Sequence, residues 1–183
     1  MPLSKYTFTQ DWFTHNTPKW KKFLLPLQDT ELRCLEIGSY EGLSGLWLHD
    51  HVLLHPDSSL LMIEIGNSQS ALLESNIELC NSDKVDLMYI DSKDILYEPD
   101  ITSYEYDFIY VDGYHSSQST LRNMVLCFEL LKVGGIMCID DYLWQQVEKD
   151  GTGPKIAMDA FLECYQKYIT ILDKGYQVWI QKL

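Results

Sequence analysis

Two short acidic stretches in this 183-residue chain hold the residue types best suited to chemistry: Asp112-Gly113-Tyr114-His115 and Asp140-Asp141-Tyr142. Each directly follows an apolar run, YDFIYV at 106–111 and IMCI at 136–139. If those runs are adjacent strands, their ends bring Asp112, Asp140, Asp141 and His115 to one mouth. Carboxylate oxygens are hard donors that suit Mg²⁺ or Mn²⁺, with water or substrate completing an octahedron. Taken singly, Asp112 reads as the cap of the next helix, and Asp140 and Asp141 as turn residues. Their convergence on neighbouring strand ends favours a divalent-cation site. His115, with an unperturbed pKa of about 6.5, can take a proton near neutrality. His15, His49, His51 and His55 lack such carboxylate company and read as surface residues.

Three more polar segments end apolar runs. The loop Glu36-Ile37-Gly38-Ser39-Tyr40-Glu41-Gly42 joins two glycines, which let backbone approach a ligand closely, to a helix start with free N–H groups. Glu36, Gly38, Ser39, Tyr40 and Gly42 are its candidate ligand contacts, although an ordinary strand-to-helix turn explains the same glycines. Glu64 stands near the end of the apolar run LLMIEI at 60–65. A carboxylate there can accept both hydrogen bonds of a ribose diol, or simply be a strand-end charge in water. Asp91 and Ser92 follow the run at 85–90, where an adenine lies if the ribose sits on Glu64.

The elements that must position these residues follow from periodicity. Residues 1–30 read as an irregular opening and a short helix around 18–27. Strands at 32–37, 60–65, 85–90, 106–111 and 136–139 then alternate with helices at 43–54, 69–80 and 117–131. KVGG at 132–135 reads as a glycine closure of the last of these helices. A helix at 155–168 precedes strands at 169–172 and 176–181, joined by an Asp-Lys-Gly turn. Such alternation implies a mainly parallel sheet with helices on both faces. Two strands so close in sequence must pair antiparallel. The fold class is therefore α/β: a Rossmann-like, mainly parallel seven-stranded sheet with a C-terminal antiparallel hairpin. An N-terminal helical or lid segment at 1–30 precedes one domain at 31–183. Open α/β sheets bind ligands beyond the carboxyl ends of their strands, where every residue singled out above falls.

Composition narrows the partners. Asp and Glu number 27 against 14 Lys and Arg, a net charge of −13 that repels phosphate backbones and argues against nucleic acid. The lone basic cluster, Lys19, Lys21 and Lys22, reads as a solvated helix face. No run approaches the roughly 20 apolar residues of a membrane span, and the N-terminus lacks a signal-peptide pattern. Five scattered cysteines without a CxxC pair read as free, mostly buried thiols. A cytoplasmic location is expected. Homo-oligomerisation stays open.

Three stretches, LEIGSYEGLSGLWL, YDFIYVDGYHSSQSTLRNMVLCFELLKVGGIMCIDDY and GPKIAMDAF, resemble the class I methyltransferase superfamily over about 33–182. The likeness is closest to macrocin-type O-methyltransferases that act on macrolide sugars. The resemblance implies S-adenosylmethionine as cofactor, with Gly38, Ser39 and Gly42 along its methionine and ribose part and Glu64 on the ribose hydroxyls. It implies a divalent cation on Asp112, Asp140 and Asp141, with Asp112 also near the cofactor, and His115 at the position of the family's general base. Two departures stand out: Tyr40 replaces a glycine common in the superfamily, and the resemblance does not extend to the extra N-terminal region of the macrolide-sugar enzymes.

The function expected is methyl transfer from S-adenosylmethionine to a hydroxyl of a vicinal diol on a sugar or glycan, or on a catechol, assisted by Mg²⁺ or Mn²⁺ and His115. A nicotinamide oxidoreductase would need a GxGxxG spacing that Gly38 and Gly42 do not give. A non-catalytic binding subunit on the same fold would have lost the cofactor or metal residues. The aromatics Tyr6, Phe8, Trp12, Phe13 and Trp20, with the loop at 142–153, flank the presumed mouth as a lid or acceptor pocket, unless they pack on the sheet.

Overall fold

Seven strands form one sheet in the computed structural model, which describes residues 2–144 and 153–183. They are β1 (Arg33–Ile37), β2 (Ser59–Glu64), β3 (Val85–Tyr89), β4 (Tyr106–Val111), β5 (Leu131–Ile139), β6 (Ile169–Lys174) and β7 (Val178–Lys182). Their order is β3-β2-β1-β4-β5-β7-β6. The first five run parallel, while β7 lies antiparallel between β5 and β6. This is the expected Rossmann-like sheet with its closing hairpin. The strand order reverses between β1 and β4, so their carboxyl ends open a crevice.

Side chains alternate across the strands and divide the core in two. Leu35, Ile109, Val111, Met137, Ile139 and Ile180 face α5 (Ser117–Leu130) and α6 (Pro154–Tyr165). Cys34, Phe108, Tyr110, Cys138 and Trp179 face α1 (Thr17–Leu24), α2 (Leu43–His51) and α3 (Ser70–Cys80). The short α4 (Pro99–Thr102) buries Ile101 against the first of these layers. Among the described residues, no helix is long and apolar enough to cross a membrane.

The N-terminal aromatics split between the two fates open to them. Trp20 is fully buried, edge-on to Trp47, Phe108, Tyr110 and Trp179, and Phe13 packs on it at 4.8 Å. Trp12 is instead 64% exposed and sits 5.0 Å from the Tyr40 ring. Lys19 of the basic cluster is ion-paired to Asp173. The cysteines are free, four buried and Cys164 exposed.

Several boundaries differ from expectation. KVGG is not a helix cap: α5 ends at Leu130 and the backbone is already extended at Leu131. Tyr106 pairs with Leu131 but Phe108 with Ile136, so Lys132–Gly135 is absorbed as a bulge, with Gly134 at φ +82°. Lys132 secures it on Asp107 at 2.9 Å. The helices α2 and α6 stop earlier than expected, at His51 and Tyr165. His49 and His51 are not plain surface residues either: His49 lies 2.9 Å from Asp50, and His51 stacks on Trp47.

The chain leaving β5 is anchored by one carboxylate. Tyr142 donates to Asp159 Oδ1 at 2.8 Å, Lys174 meets the same oxygen at 2.9 Å, and Lys155 bonds to Oδ2. Burial pushes the Asp159 carboxyl up, but the bonds from Lys155, Lys174 and Tyr142 outweigh it and hold its pKa at about 2. A pKa below the usual 3.8 stabilises the fold above that pH and loses the contribution as pH falls toward 2. With side chains 38–56% exposed, the ion pairs are screened by solvent and add little to stability. Asp159→Asn should lower the urea midpoint at pH 6 and by much less at pH 2, where about half of the carboxyls are protonated. An equal deficit at both pH values would mean that the ion pairs are not its origin.

Candidate active site

The loop after β1 is shaped by how closely β4 approaches it. A Cβ on Gly38 would lie 2.1 Å from the Asp112 carbonyl oxygen, and Gly38 has φ +88°. Backbone bonds knit the strand ends together: Gly38 N–H to Ile63 O at 2.9 Å, and Asp112 N–H to Ile37 O at 2.8 Å. Tyr40, standing where the superfamily favours glycine, itself adopts φ +49°. Its N–H and that of Ser39 donate to Glu64 Oε2 at 2.8 and 3.1 Å. The other Glu64 oxygen accepts from Ile65 N–H at 2.9 Å and from Asn67 at 3.3 Å. Glu64 therefore moulds the loop, and the long Asn67 bond is its weakest tie.

Glu36 supports the same loop from behind. It is buried, accepts from the Ser39 hydroxyl at 3.1 Å and bonds to the Ser44 hydroxyl. Burial pushes its pKa up to about 8, so it is mostly neutral at pH 7. Gly42, at φ +90°, then starts α2.

A cavity of about 990 Å³ opens over the crevice. Gly38, Tyr40 and Glu64 line it on one side, and Ile63, Ile65 and Ile90 add apolar wall. Asp91 and Ser92 line it too, with Asp91 also accepting from Lys93 N–H at 3.0 Å as the cap of a short turn. Asp112, His115, Asp140 and Asp141 line the opposite part, with Trp144 beside His115 and Tyr176 beside Asp141, while Trp12 lines the cavity next to Tyr40. Glu36, Ser39 and Gly42 do not face it. Residues 145–152 of the loop expected to flank the mouth lie outside the described residues.

Donor atoms of Asp112, His115 and Asp141 lie within 4.8 Å of one another, a set able to hold a cation. His115 Nε2 is 2.9 Å from Asp141 and 3.8 Å from Asp112. Asp112 does not cap α5, because Ser116 performs that task. Asp140 turns inward instead. Its Oδ2 meets the Tyr110 hydroxyl and, at 2.8 Å, the Gln177 amide, while Oδ1 accepts from Asp141 N–H at 2.8 Å. Asp141 is left-handed, at φ +67°, and its Oδ1 accepts from Tyr176 OH at 2.9 Å.

The electrostatics are those of crowded like charges. Burial pushes Asp112 up, with Asp141 adding to it. Burial followed by the Asp112 charge pushes Asp140 to about 7. Asp112 and Asp141 together push His115 to about 10, so in the cation-free protein the imidazolium is the counter-charge of the cluster. Two carboxylates and an imidazole converging beside a cavity fit a hard divalent cation.

Some residues in the cavity wall or bonded to its carboxylates went unread in the sequence. Tyr110 shares a strand face with Asp112, two residues on, and that period could have found it. Arg122 and Ser119, 3.1 Å apart on α5, also line the cavity. Tyr176 reaches Asp141 only through the register of the hairpin, for which no local signal exists.

A model of the O-methyltransferase family matches residues 5–171. The chain belongs to that family. Solved structures share its fold. The MycE methyltransferase of the mycinamycin biosynthetic pathway, determined with Mg and SAH, superposes with a TM-score of 0.70 at 17% identity, over 94% of this chain and 51% of its own. The chain thus spans about half the length of MycE. The Bacillus cereus O-methyltransferase with SAH gives 0.71 at 20% identity, covering 96% of this chain and 84% of that one. TomG from Streptomyces achromogenes, an O-methyltransferase involved in tomaymycin synthesis solved with SAM, gives 0.68 at 21%, over 90% and 79%. Among curated protein sequences none matches.

Proposed function

We propose that this member of the O-methyltransferase family transfers a methyl group from S-adenosylmethionine to a hydroxyl of a vicinal diol on a small molecule or glycan, with a sugar preferred. The observation that carries the reading is one cavity of about 990 Å³ with both chemistries in its wall. The Gly38 loop and Glu64 lie on one side, and Asp112, His115 and Asp141 on the other. Glycine 38 leaves backbone exposed to the cofactor, and Glu64 supplies carboxylate oxygens for its ribose, exchanging the long Asn67 bond. Ile63, Ile65 and Ile90 give its base an apolar wall, next to Asp91 and Ser92.

Asp112 and Asp141 would hold a divalent cation, with Asp140 behind them. When bound, such an ion lowers the pKa of a hydroxyl and fixes its orientation. His115 is the basic group beside these acids. A proton taken from the acceptor rests on its Nε2, steadied by two carboxylates. That role needs a neutral ring, so it belongs to the cation-loaded protein. The net charge of −13 supports a small-molecule or glycan acceptor over nucleic acid.

The test is calorimetric titration of S-adenosylhomocysteine into chelator-treated protein, repeated with Mg²⁺. Micromolar binding in both buffers is the expected result. It would be followed by methyl-transfer assays on sugars and catechols, where only diol-bearing acceptors should turn over and only with the cation. No heat in either buffer, together with thermal stabilisation by NAD, would overturn the reading in favour of an oxidoreductase.

A further inference from the structure

A buried chain of hydrogen bonds runs from the N-terminal helix to the carboxylate cluster. Trp20 of α1 donates its indole N–H to Gln177 Oε1 at 3.2 Å, and Gln177 donates its amide to Asp140 Oδ2 at 2.8 Å. Both Trp20 and Gln177 are essentially inaccessible to solvent. An indole N–H can only donate, so it fixes the amide with its oxygen toward Trp20 and its NH₂ toward Asp140. Tyr110, packed edge-on against the same Trp20 ring, places its hydroxyl against Asp140 and, at 3.0 Å, against Asp112. With Oδ2 engaged, Asp140 offers Oδ1 to the N–H of Asp141, whose backbone is left-handed.

We propose that Gln177, oriented by Trp20, is a positioning residue for the cation ligands: it locks Asp140, and Asp140 sets the pose of Asp141. The inference rests on the reading of Asp112 and Asp141 as ligands of a divalent cation. Gln177 touches neither the cavity nor the reacting groups, so its effect passes wholly through Asp140. Without the amide, only the Tyr110 hydroxyl holds Asp140 Oδ2, so the carboxylate is less firmly fixed and so is its hold on the Asp141 backbone. Partners behind metal ligands are worth about 10–100-fold in metal affinity. Gln177 should stand in that range.

The experiment measures Mn²⁺ affinity by electron paramagnetic resonance and S-adenosylhomocysteine affinity in chelator for the full chain. The proteins are wild type, Gln177→Leu, Trp20→Phe and the double variant, with thermal unfolding of each. Gln177→Leu should weaken Mn²⁺ binding about 10–100-fold and leave cofactor-product affinity within about twofold. Trp20→Phe should weaken Mn²⁺ less, and the double variant should bind it no worse than Gln177→Leu alone, because Trp20 acts through Gln177. Unchanged Mn²⁺ affinity in folded Gln177→Leu overturns the proposal. So does a parallel loss of both affinities, or additive losses in the double variant, since either marks a merely structural role. If Gln177→Leu fails to fold, Trp20→Phe decides by the same split. Wild-type protein that binds no Mn²⁺ overturns the cation reading itself, and this inference with it.

Discussion

Gly38→Ala should unfold at markedly lower urea, with a loss of about 2–5 kcal/mol, and should bind no S-adenosylhomocysteine. Two costs add. An alanine at φ +88° is held in a conformation that disfavours a Cβ by about 1–2 kcal/mol. The new Cβ would also lie 2.1 Å from the Asp112 carbonyl oxygen, which is backbone and cannot swing aside. Relief requires the ends of β1 and β4 to separate, and forced insertions of this kind cost a further 1–3 kcal/mol or so. The bonds from Gly38 to Ile63 and from Asp112 to Ile37 would be strained together, so the floor of the cavity moves with them. Gly134→Ala supplies the control. It shares a positive φ of +82° but a Cβ there meets nothing within 4 Å, so only the conformational cost of about 1–2 kcal/mol remains. Equal losses in the two variants would show that close approach is not what Gly38 provides.

How much of this was legible in the sequence depended on whether a feature was local. The alternation of apolar runs and helices was local, and it predicted the parallel sheet, the hairpin and the convergence of strand ends. Asp112 and His115 share one turn, so their company could be read directly. Asp140 and Asp141 could not be told apart in this way. Neighbouring residues at a strand end point to opposite sides, and it is Asp141, with its left-handed backbone, that joins Asp112 and His115 in the donor cluster. Asp141 is bonded there by Asp140 and by Tyr176, which arrive from the end of β5 and from the far hairpin. Trp20 illustrates the same limit. Its aromatic neighbours come from α2, β4 and β7, and no spacing in the chain announces that a residue near the N-terminus will sit at their centre. KVGG failed for a related reason, since glycines that suit a helix cap also suit a bulge, and the pairing of Leu131 with Tyr106 decided between them.

Asp112→Ala should abolish methyl transfer, by at least about 10³-fold in kcat/KM, while the protein stays folded. The loss of activity follows from its place at the centre of the cluster. It is one of three groups whose donor atoms lie within 4.8 Å of one another, and the bond of β4 to β1 sets its backbone beside Gly38. Stability should change little, by about 1 kcal/mol or less, because the site is strained by like charge rather than held by it. Asp112 is pushed up by burial and by Asp141, and it pushes Asp140 up in turn. Removing it leaves Tyr110 bonded to Asp140 and His115 paired with Asp141 at 2.9 Å. S-adenosylhomocysteine affinity in chelator should stay within about threefold, since Glu64 and the Gly38 loop are untouched. Mn²⁺ binding should be lost in the same protein, because the remaining imidazolium neutralises Asp141 alone. Turnover by Asp112→Ala in cation-free buffer would sink the cation's part in the chemistry. Loss of cofactor binding in a well-folded variant would instead move Asp112 from the cation to the cofactor.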